Sequence, residues 1–267
     1  MSERQRVNHG LSERQHDAGG GAMRVLVVGG SGYVAGLVLP FLARHHAIRV
    51  LDRRPPPDGV EYLAGSALDY ADLRRATEGV DAVVHCAMGS MAWETPAGAA
   101  DAFDVNVKSV HLTLLAAHDA GVPHAVQISS MSVYGNLTSR KLDESVPPDA
   151  TDLYGFTKRL GEQVCQAATA EWGMSVNVLR LAWPTADEVW PAWGLPEPPQ
   201  LRYAASGAVI EATAATDLAP AVLAALDHRD GCQVFTITGD QCARLWSTAK
   251  AREVLGWTPT FARDKFR

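Results

Sequence analysis

A doubly wound α/β fold, with helices on both faces of a parallel sheet, is predicted for this chain by three observations. Short apolar runs rich in β-branched residues alternate with helix-length segments from Arg24 to Arg180. The first run, Arg24–Val28, ends directly in the cluster Gly29-Gly30-Ser31-Gly32. An acidic residue, Asp52, closes the second run 20 residues beyond Gly32.

Each element has its own reason. Arg24–Val28 (RVLVV) is apolar without alternation, as a strand buried on both faces requires. A helix is expected over Gly32–His45, a second strand over Ile48–Leu51 and a third over Val60–Leu63. Asp69–Thr77 reads as a helix capped by Leu68 or Asp69. A fourth strand at Ala82–Cys86, a long helix at Asp101–Asp119 and a fifth strand at Ala125–Ser129 follow. A helix at Leu153–Trp172 and a sixth strand at Ser175–Arg180 complete the alternation. Beyond Leu181 the character changes. The proline-rich segment 183–200 holds Trp183, Trp190 and Trp193 and is expected to lack regular structure. A helix at Thr216–Asp227, a strand at Val234–Thr238 and a helix at Ser247–Leu255 end the chain.

Composition removes whole classes of function. Lys plus Arg is 24 against Asp plus Glu 30, a net charge of −6, which offers no footprint for nucleic acid or an anionic membrane. No run of 18 apolar residues exists to span a bilayer. The four cysteines, Cys86, Cys165, Cys232 and Cys242, have neither metal-ligand nor disulfide-framework spacing. No metal site is expected, and a reducing cytoplasm is the expected compartment. Residues 1–22 are polar, end in glycines and show no apolar periodicity. They read as a disordered leader, with Met23 as the functional start.

Gly29-Gly30-Ser31-Gly32-Tyr33-Val34-Ala35 has the spacing G-x-x-G-x-x-A between a strand and a helix. Gly29 permits a tight turn, Gly32 lets the backbone approach a pyrophosphate, and Ala35 is small enough for helix–sheet packing. The helix N-terminus stabilises the phosphates. Asp52 would accept hydrogen bonds from adenosine ribose hydroxyls and repel a 2′-phosphate, favouring NAD over NADP. Arg53-Arg54 opposes that preference, unless both are solvated surface charges. The division that follows is a leader at 1–22, a dinucleotide-binding domain at 23–181, and a small substrate-binding part at 182–267 packed on it.

Tyr154 and Lys158 stand four apart on the expected helix, so their side chains share a face. A cation there would lower the Tyr154 pKa towards neutrality and make it a usable acid/base. Upstream, Ser129-Ser130-Met131-Ser132-Val133-Tyr134-Gly135 leaves the C-terminal end of the fifth strand, where open α/β sheets bind ligands.

With these motifs in this order, the chain resembles the extended short-chain dehydrogenase/reductases, specifically the NAD-dependent epimerase/dehydratase group with its Rossmann-type fold. Asn106-Val107-Lys108-Ser109, Val83–Ala87 and Ser247–Pro259 are similar to further family motifs, so the resemblance runs from Arg24 to Pro259. It implies Tyr154 as general acid/base, Lys158 on the nicotinamide ribose and Ser130 on the reacting oxygen. It also implies a cofactor cleft formed by Gly29, Ser31, Gly32, Tyr33, Val34, Asp52, Arg53 and Ala67, together with Cys86, Ala87 and Met88. Asn106 is either a supporting polar group or a helix N-cap. On the substrate side stand Ser130, Ser132, Arg180 and Trp183. A homodimer through the helices Asp101–Asp119 and Leu153–Trp172 is a further implication.

Three departures narrow the reading. Met131-Ser132 replaces the Asp-Glu pair that family dehydratases place after the active-site Ser/Thr, which disfavours sugar 4,6-dehydration. Trp183 stands where nucleotide-sugar enzymes carry the Asn of R-x-x-N, and an indole stacks on a sugar but cannot replace amide hydrogen bonds. The chain is also short for that group, and its size resembles uronate dehydrogenases. An anionic substrate would need a cation, Arg180 or Arg202, although Arg180 also has a structural reading. Trp190 and Trp193 either cap a substrate or pack a loop. The leading expectation is an NAD-dependent oxidoreductase acting on a small sugar-like molecule. A sugar epimerase with transient oxidation is the alternative, and a dinucleotide-sensing regulator is the third, opposed by the intact Tyr154/Lys158 pair.

Overall fold

Along β1 (Arg24–Val28), Val25 and Val27 pack into one apolar cluster while Leu26 and Val28 pack into another, so both faces of the strand are covered. The computed structural model describes residues 21–240 and 245–261. The expected leader, except its last two residues, and Cys242 lie outside the described residues. After β1 come α1 (Tyr33–Leu42), β2 (Ala47–Asp52), β3 (Glu61–Ala64), α2 (Tyr70–Thr77), β4 (Ala82–His85) and α3 (Pro96–Phe103). A π-helical turn (Asp104–Lys108) joins α3 to α4 (Ser109–Asp119), followed by β5 (His124–Ser130), α5 (Leu153–Trp172) and β6 (Ser175–Leu181). Two-residue strands β7 (Pro184–Thr185), β8 (Arg202–Tyr203), β9 (Val209–Ile210) and β10 (Thr213–Ala214) precede α6 (Ala215–Asp227), β11 (Cys232–Ile237) and α7 (Ala249–Leu255).

The main sheet is parallel in the order β11-β6-β5-β4-β1-β2-β3. The chain winds outward from β1 to β3, then returns to β4 and winds the other way. The reversal between β1 and β4 opens a crevice at their C-terminal ends. Val38, Leu42, Leu218 and Val222 of α1 and α6 cover one face, and Leu73, Leu114 and Cys165 of α2, α4 and α5 cover the other. The predicted doubly wound Rossmann-type α/β architecture is therefore the observed one.

Several boundaries differ for identifiable reasons. Helix α1 begins at Tyr33 with Gly32 as its N-cap and ends at Leu42, short of His45. Asp69, not Leu68, caps α2, its carboxylate accepting from the Ala71 and Asp72 amides. The helix expected to start at Asp101 starts at Pro96, because Thr95 accepts from the Gly98 amide and Pro96 suits the first turn. Asn106 therefore lies inside a π turn, and its reading as an N-cap is overturned. Beyond residue 181 the chain does more than cover the sheet, since β11 pairs with β6 from Cys232↔Val176 to Ile237↔Leu181 and forms its edge. Segment 183–200 carries only β7 and one isolated pairing of Trp193 with Gln200.

Candidate active site

The β1–α1 loop is shaped by what a side chain would strike. Gly29 has φ +79°, and a Cβ there would stand 2.5 Å from the Ala87 amide nitrogen. A Cβ on Gly30 would stand 2.6 Å from a Val50 methyl. At Gly32 the nearest neighbour of such a Cβ is the Gly29 carbonyl at 3.2 Å, and α1 has no side-chain cap. The first amides of α1 are thus left for a ligand phosphate. Asp52 ties this loop to the end of β2. Its carboxylate accepts from the Ser31 amide (3.0 Å) and the Arg54 amide (3.0 Å), while Ser31 Oγ donates to the Arg54 carbonyl (2.6 Å). Tyr33 Oη donates to the Pro184 carbonyl at 3.1 Å, linking the loop to β7. These residues fit a dinucleotide: a tight glycine turn, open helix amides and a carboxylate at the end of β2.

Ser130 ends β5, and its Oγ accepts from the Ser132 amide at 3.1 Å as the chain enters a short 3₁₀ turn, Met131–Val133. Helix α5 is capped by Asp152, which accepts from the Gly155 amide at 2.9 Å. Gly155 is there because a Cβ would stand 2.1 Å from the Ser132 carbonyl oxygen. That close approach brings the Tyr154 phenol near the Ser130 hydroxyl. Trp93 stacks on the other side, with ring centroids 5.0 Å apart and planes 16° apart. Burial raises the Tyr154 pKa above its ordinary value, while the Ser130 hydrogen bond works to lower it. The expected lowering by Lys158 is thus overturned in this state. Lys158 is buried, donates to the Ile128 carbonyl at 2.8 Å, and is itself pushed down by burial to about 8. Burial holds neighbouring His85 neutral, pushed down to about 3, and keeps Cys86 a thiol, pushed up to about 12.

Two buried groups brace this arrangement. Asn106 Nδ2 donates to Thr157 Oγ1 (3.0 Å) and its Oδ1 accepts from the Gly89 amide (3.3 Å), joining the β4–α3 loop to α5. Arg180 donates from Nε (3.0 Å) and Nη2 (2.7 Å) to the Glu162 carboxylate, and from Nη1 to Tyr134 Oη. Ser129 Oγ also donates to Glu162, at 2.6 Å.

One cavity of about 680 Å³ runs across the C-terminal ends of the strands. Gly29, Gly32, Tyr33, Val34, Asp52 and Arg53 line one part of it. Ala67, Cys86, Ala87 and Met88 form its wall, and Ser130, Ser132, Tyr154, Lys158 and Trp183 also face it. Three expected residues do not. Ser31, half-exposed, ties the loop to Arg54, and Asn106 is a buried tie between the β4–α3 loop and α5. Arg180, expected as a substrate contact, is bound to Glu162 and lies outside the cavity, so its structural reading is the one the geometry fits. Trp190 packs edge-on against Phe261, as a loop-packing residue would. Trp93, Asn136 and Leu137 line the cavity and were missed. The loop after β5 follows from the strand-end rule and the start of the loop after β4 from the resemblance, but no motif marked these positions within them.

The fold and cavity define a Rossmann-type dinucleotide-binding α/β protein. Residues 25–185 match the model of the "NAD dependent epimerase/dehydratase family", and the chain belongs to that family, whose cofactor is NAD. Among curated relatives, an uncharacterized protein y4nG of Sinorhizobium fredii is 32% identical over 160 residues, 58% of this chain and 39% of its own. A 3-beta-hydroxysteroid dehydrogenase of Mycolicibacterium neoaurum is 34% identical over 170 residues, 59% of this chain and 46% of its own. A UDP-glucose 4-epimerase of Corynebacterium glutamicum is 29% identical over 166 residues, 59% and 50%. The matched region is thus half or less of each of these relatives. Among solved structures, a short-chain dehydrogenase/reductase superfamily protein of Agrobacterium tumefaciens with bound NAD superposes with TM-score 0.77 at 23% identity, covering 91% of this chain and 94% of that one. Uronate dehydrogenase of the same organism gives 0.72 at 21%, covering 91% and 86%. At these identities the structures establish the fold.

Proposed function

We propose that the protein is an NAD-dependent oxidoreductase that moves a hydride between the nicotinamide and a secondary alcohol or carbonyl of a small sugar-like substrate, with Tyr154 as acid/base. The observation that carries this reading is the meeting of Ser130, Tyr154 and Lys158 in one cavity with the glycine loop and Asp52. The α1 amides and Gly32 would hold the pyrophosphate, Asp52 the adenosine ribose, and Lys158 the nicotinamide ribose. NAD, when bound, supplies the hydride acceptor or donor and, when oxidised, a positive charge beside the phenol. Ser130 orients the substrate oxygen, and Tyr154 exchanges the proton with it. Burial favours the protonated phenol, which suits Tyr154 to act as the acid towards a carbonyl.

The aromatic side chains of Trp183 and Trp193 on the cavity wall support a sugar-like substrate, as do relatives named for UDP-glucose and uronate. Met131 and Ser132 place no carboxylate after Ser130, which argues against dehydration. A cytoplasmic location and a homodimer through α4 and α5 belong to this proposal. No helix of the described residues is long and apolar enough to cross a membrane. The epimerase reading uses the same three residues, so nucleotide release separates the two. Purified protein is denatured and any released nucleotide identified by mass spectrometry. Stoichiometric NAD supports an epimerase, and reversible binding of added NAD supports a dehydrogenase. NADP in its place would contradict the role given to Asp52.

A further inference from the structure

Among the described residues, four cationic side chains line the cavity: Arg53, Arg54, Lys158 and Arg202. Arg53 and Arg54 follow β2, which is three strand spacings, about 14 Å, from β5 and Ser130. Lys158 is bonded to the Ile128 carbonyl. Arg202, on β8, is placed differently. Its guanidinium carbon lies 4.7 Å from the ring centroid of Trp193 and 5.6 Å from that of Trp183. Trp183 stands two residues beyond Leu181, the β6 residue paired with Ser130, so this clamp is on the substrate side. Arg202 Nε is buried without a hydrogen-bond partner, and no described carboxylate lies within ion-pair distance of the guanidinium. The acids lining the cavity nearer Tyr154, Asp101 and Asp152, accept from the backbone amides of Ser90 and Gly155.

We propose that Arg202, clamped between Trp183 and Trp193, receives an anionic oxygen group of the substrate, a carboxylate or a phosphate. Contact with two aromatic rings restrains the guanidinium, and a restrained guanidinium can take a bidentate acceptor. A partly desolvated cation with no counter-ion is stabilised when an anion arrives. The proposal rests on the oxidoreductase reading and narrows its substrate class.

The test is calorimetric titration of the full chain, with and without saturating NAD, with glucuronate, glucose 6-phosphate and glucose. At least one anionic probe is expected to bind tenfold or more tightly than glucose, and which one binds separates carboxylate from phosphate. Arg202→Gln is expected to erase that preference while NAD affinity stays within twofold. If that variant does not fold, Arg202→Lys, which keeps the charge but loses the planar fork, is expected to weaken the anion at least threefold and leave glucose unchanged. Glucose binding as tightly as both anions, or either folded variant keeping the full preference, overturns the proposal. Wild-type protein that fails to bind NAD would sink the oxidoreductase reading alone, because anion preference is read from the probe titrations.

Discussion

Replacing Glu162 by Gln keeps the side-chain volume but removes the charge that faces Arg180. Both side chains are 4% exposed, and the carboxylate takes two hydrogen bonds from the guanidinium and one from Ser129. The variant leaves a buried guanidinium with no counter-ion, a loss of about 3–5 kcal/mol. For a chain of this size each kcal/mol moves the midpoint by about 2–4 °C, so Tm is expected to fall by about 6–20 °C. Urea and thermal unfolding followed by circular dichroism at pH 7 read both quantities. The control is the double variant Glu162→Leu with Arg180→Met, which removes both charges. It is expected to recover most of the loss, because a buried pair is weakly stabilising as a whole although breaking it is costly. A loss below about 1 kcal/mol in Glu162→Gln, or a double variant no more stable than the single one, would refute the assignment of the cost to an orphaned charge.

Two further outcomes are expected. Asp52→Asn removes the charge proposed to oppose a 2′-phosphate and weakens the link to Ser31 and Arg54, so the NAD-to-NADP affinity ratio should fall at least about tenfold by fluorescence titration. An unchanged ratio would contradict the role of Asp52. Burial pushes the Lys158 pKa down from 10.5 to about 8, so between those values the folded chain binds fewer protons than the unfolded one. The cost of its buried charge is full below pH 8 and disappears as pH rises to 10.5. Lys158→Met should therefore be more stable than wild type at pH 7 by up to about 3 kcal/mol, with the difference vanishing near pH 10.5. A pH-independent difference in urea stability would assign the effect to packing instead.

What was legible in the sequence is what local pattern encodes. The unbroken apolar run of β1, the turn demanded by Gly29 and the four-residue spacing of Tyr154 and Lys158 each follow from neighbouring residues. So does the position of Asp52 at a strand end. The Thr95-Pro96 start of α3 also carried a local signal, a capping side chain followed by a proline at the first position. It was masked because PAGAADAF has too few large apolar residues to show a helical period. The π turn around Asn106 has no such signature. Its surroundings are tertiary: Gly161 of α5 approaches so closely that a Cβ would stand 2.7 Å from the Asn106 carbonyl. Pairings between distant segments were equally hidden. The Glu162–Arg180 ion pair that withdraws Arg180 from the cavity joins a helix to a strand. The stacking of Trp93 on Tyr154 joins positions 61 residues apart. The fall of the Tyr154 pKa expected from Lys158 failed for a related reason: sequence spacing gives a shared face but not the burial that raises the phenol pKa.

Tyr154 is proposed to move the proton in an NAD-linked hydride transfer. Tyr154→Phe keeps the ring that stacks on Trp93 and deletes only the hydroxyl. Wild type and variant would be compared for NAD affinity by calorimetry and for cofactor reduction at 340 nm against a panel of sugars and sugar acids. NAD affinity unchanged, with turnover down by about 10²–10⁴-fold, is the expected result. A variant that turns over at the wild-type rate would contradict the claim.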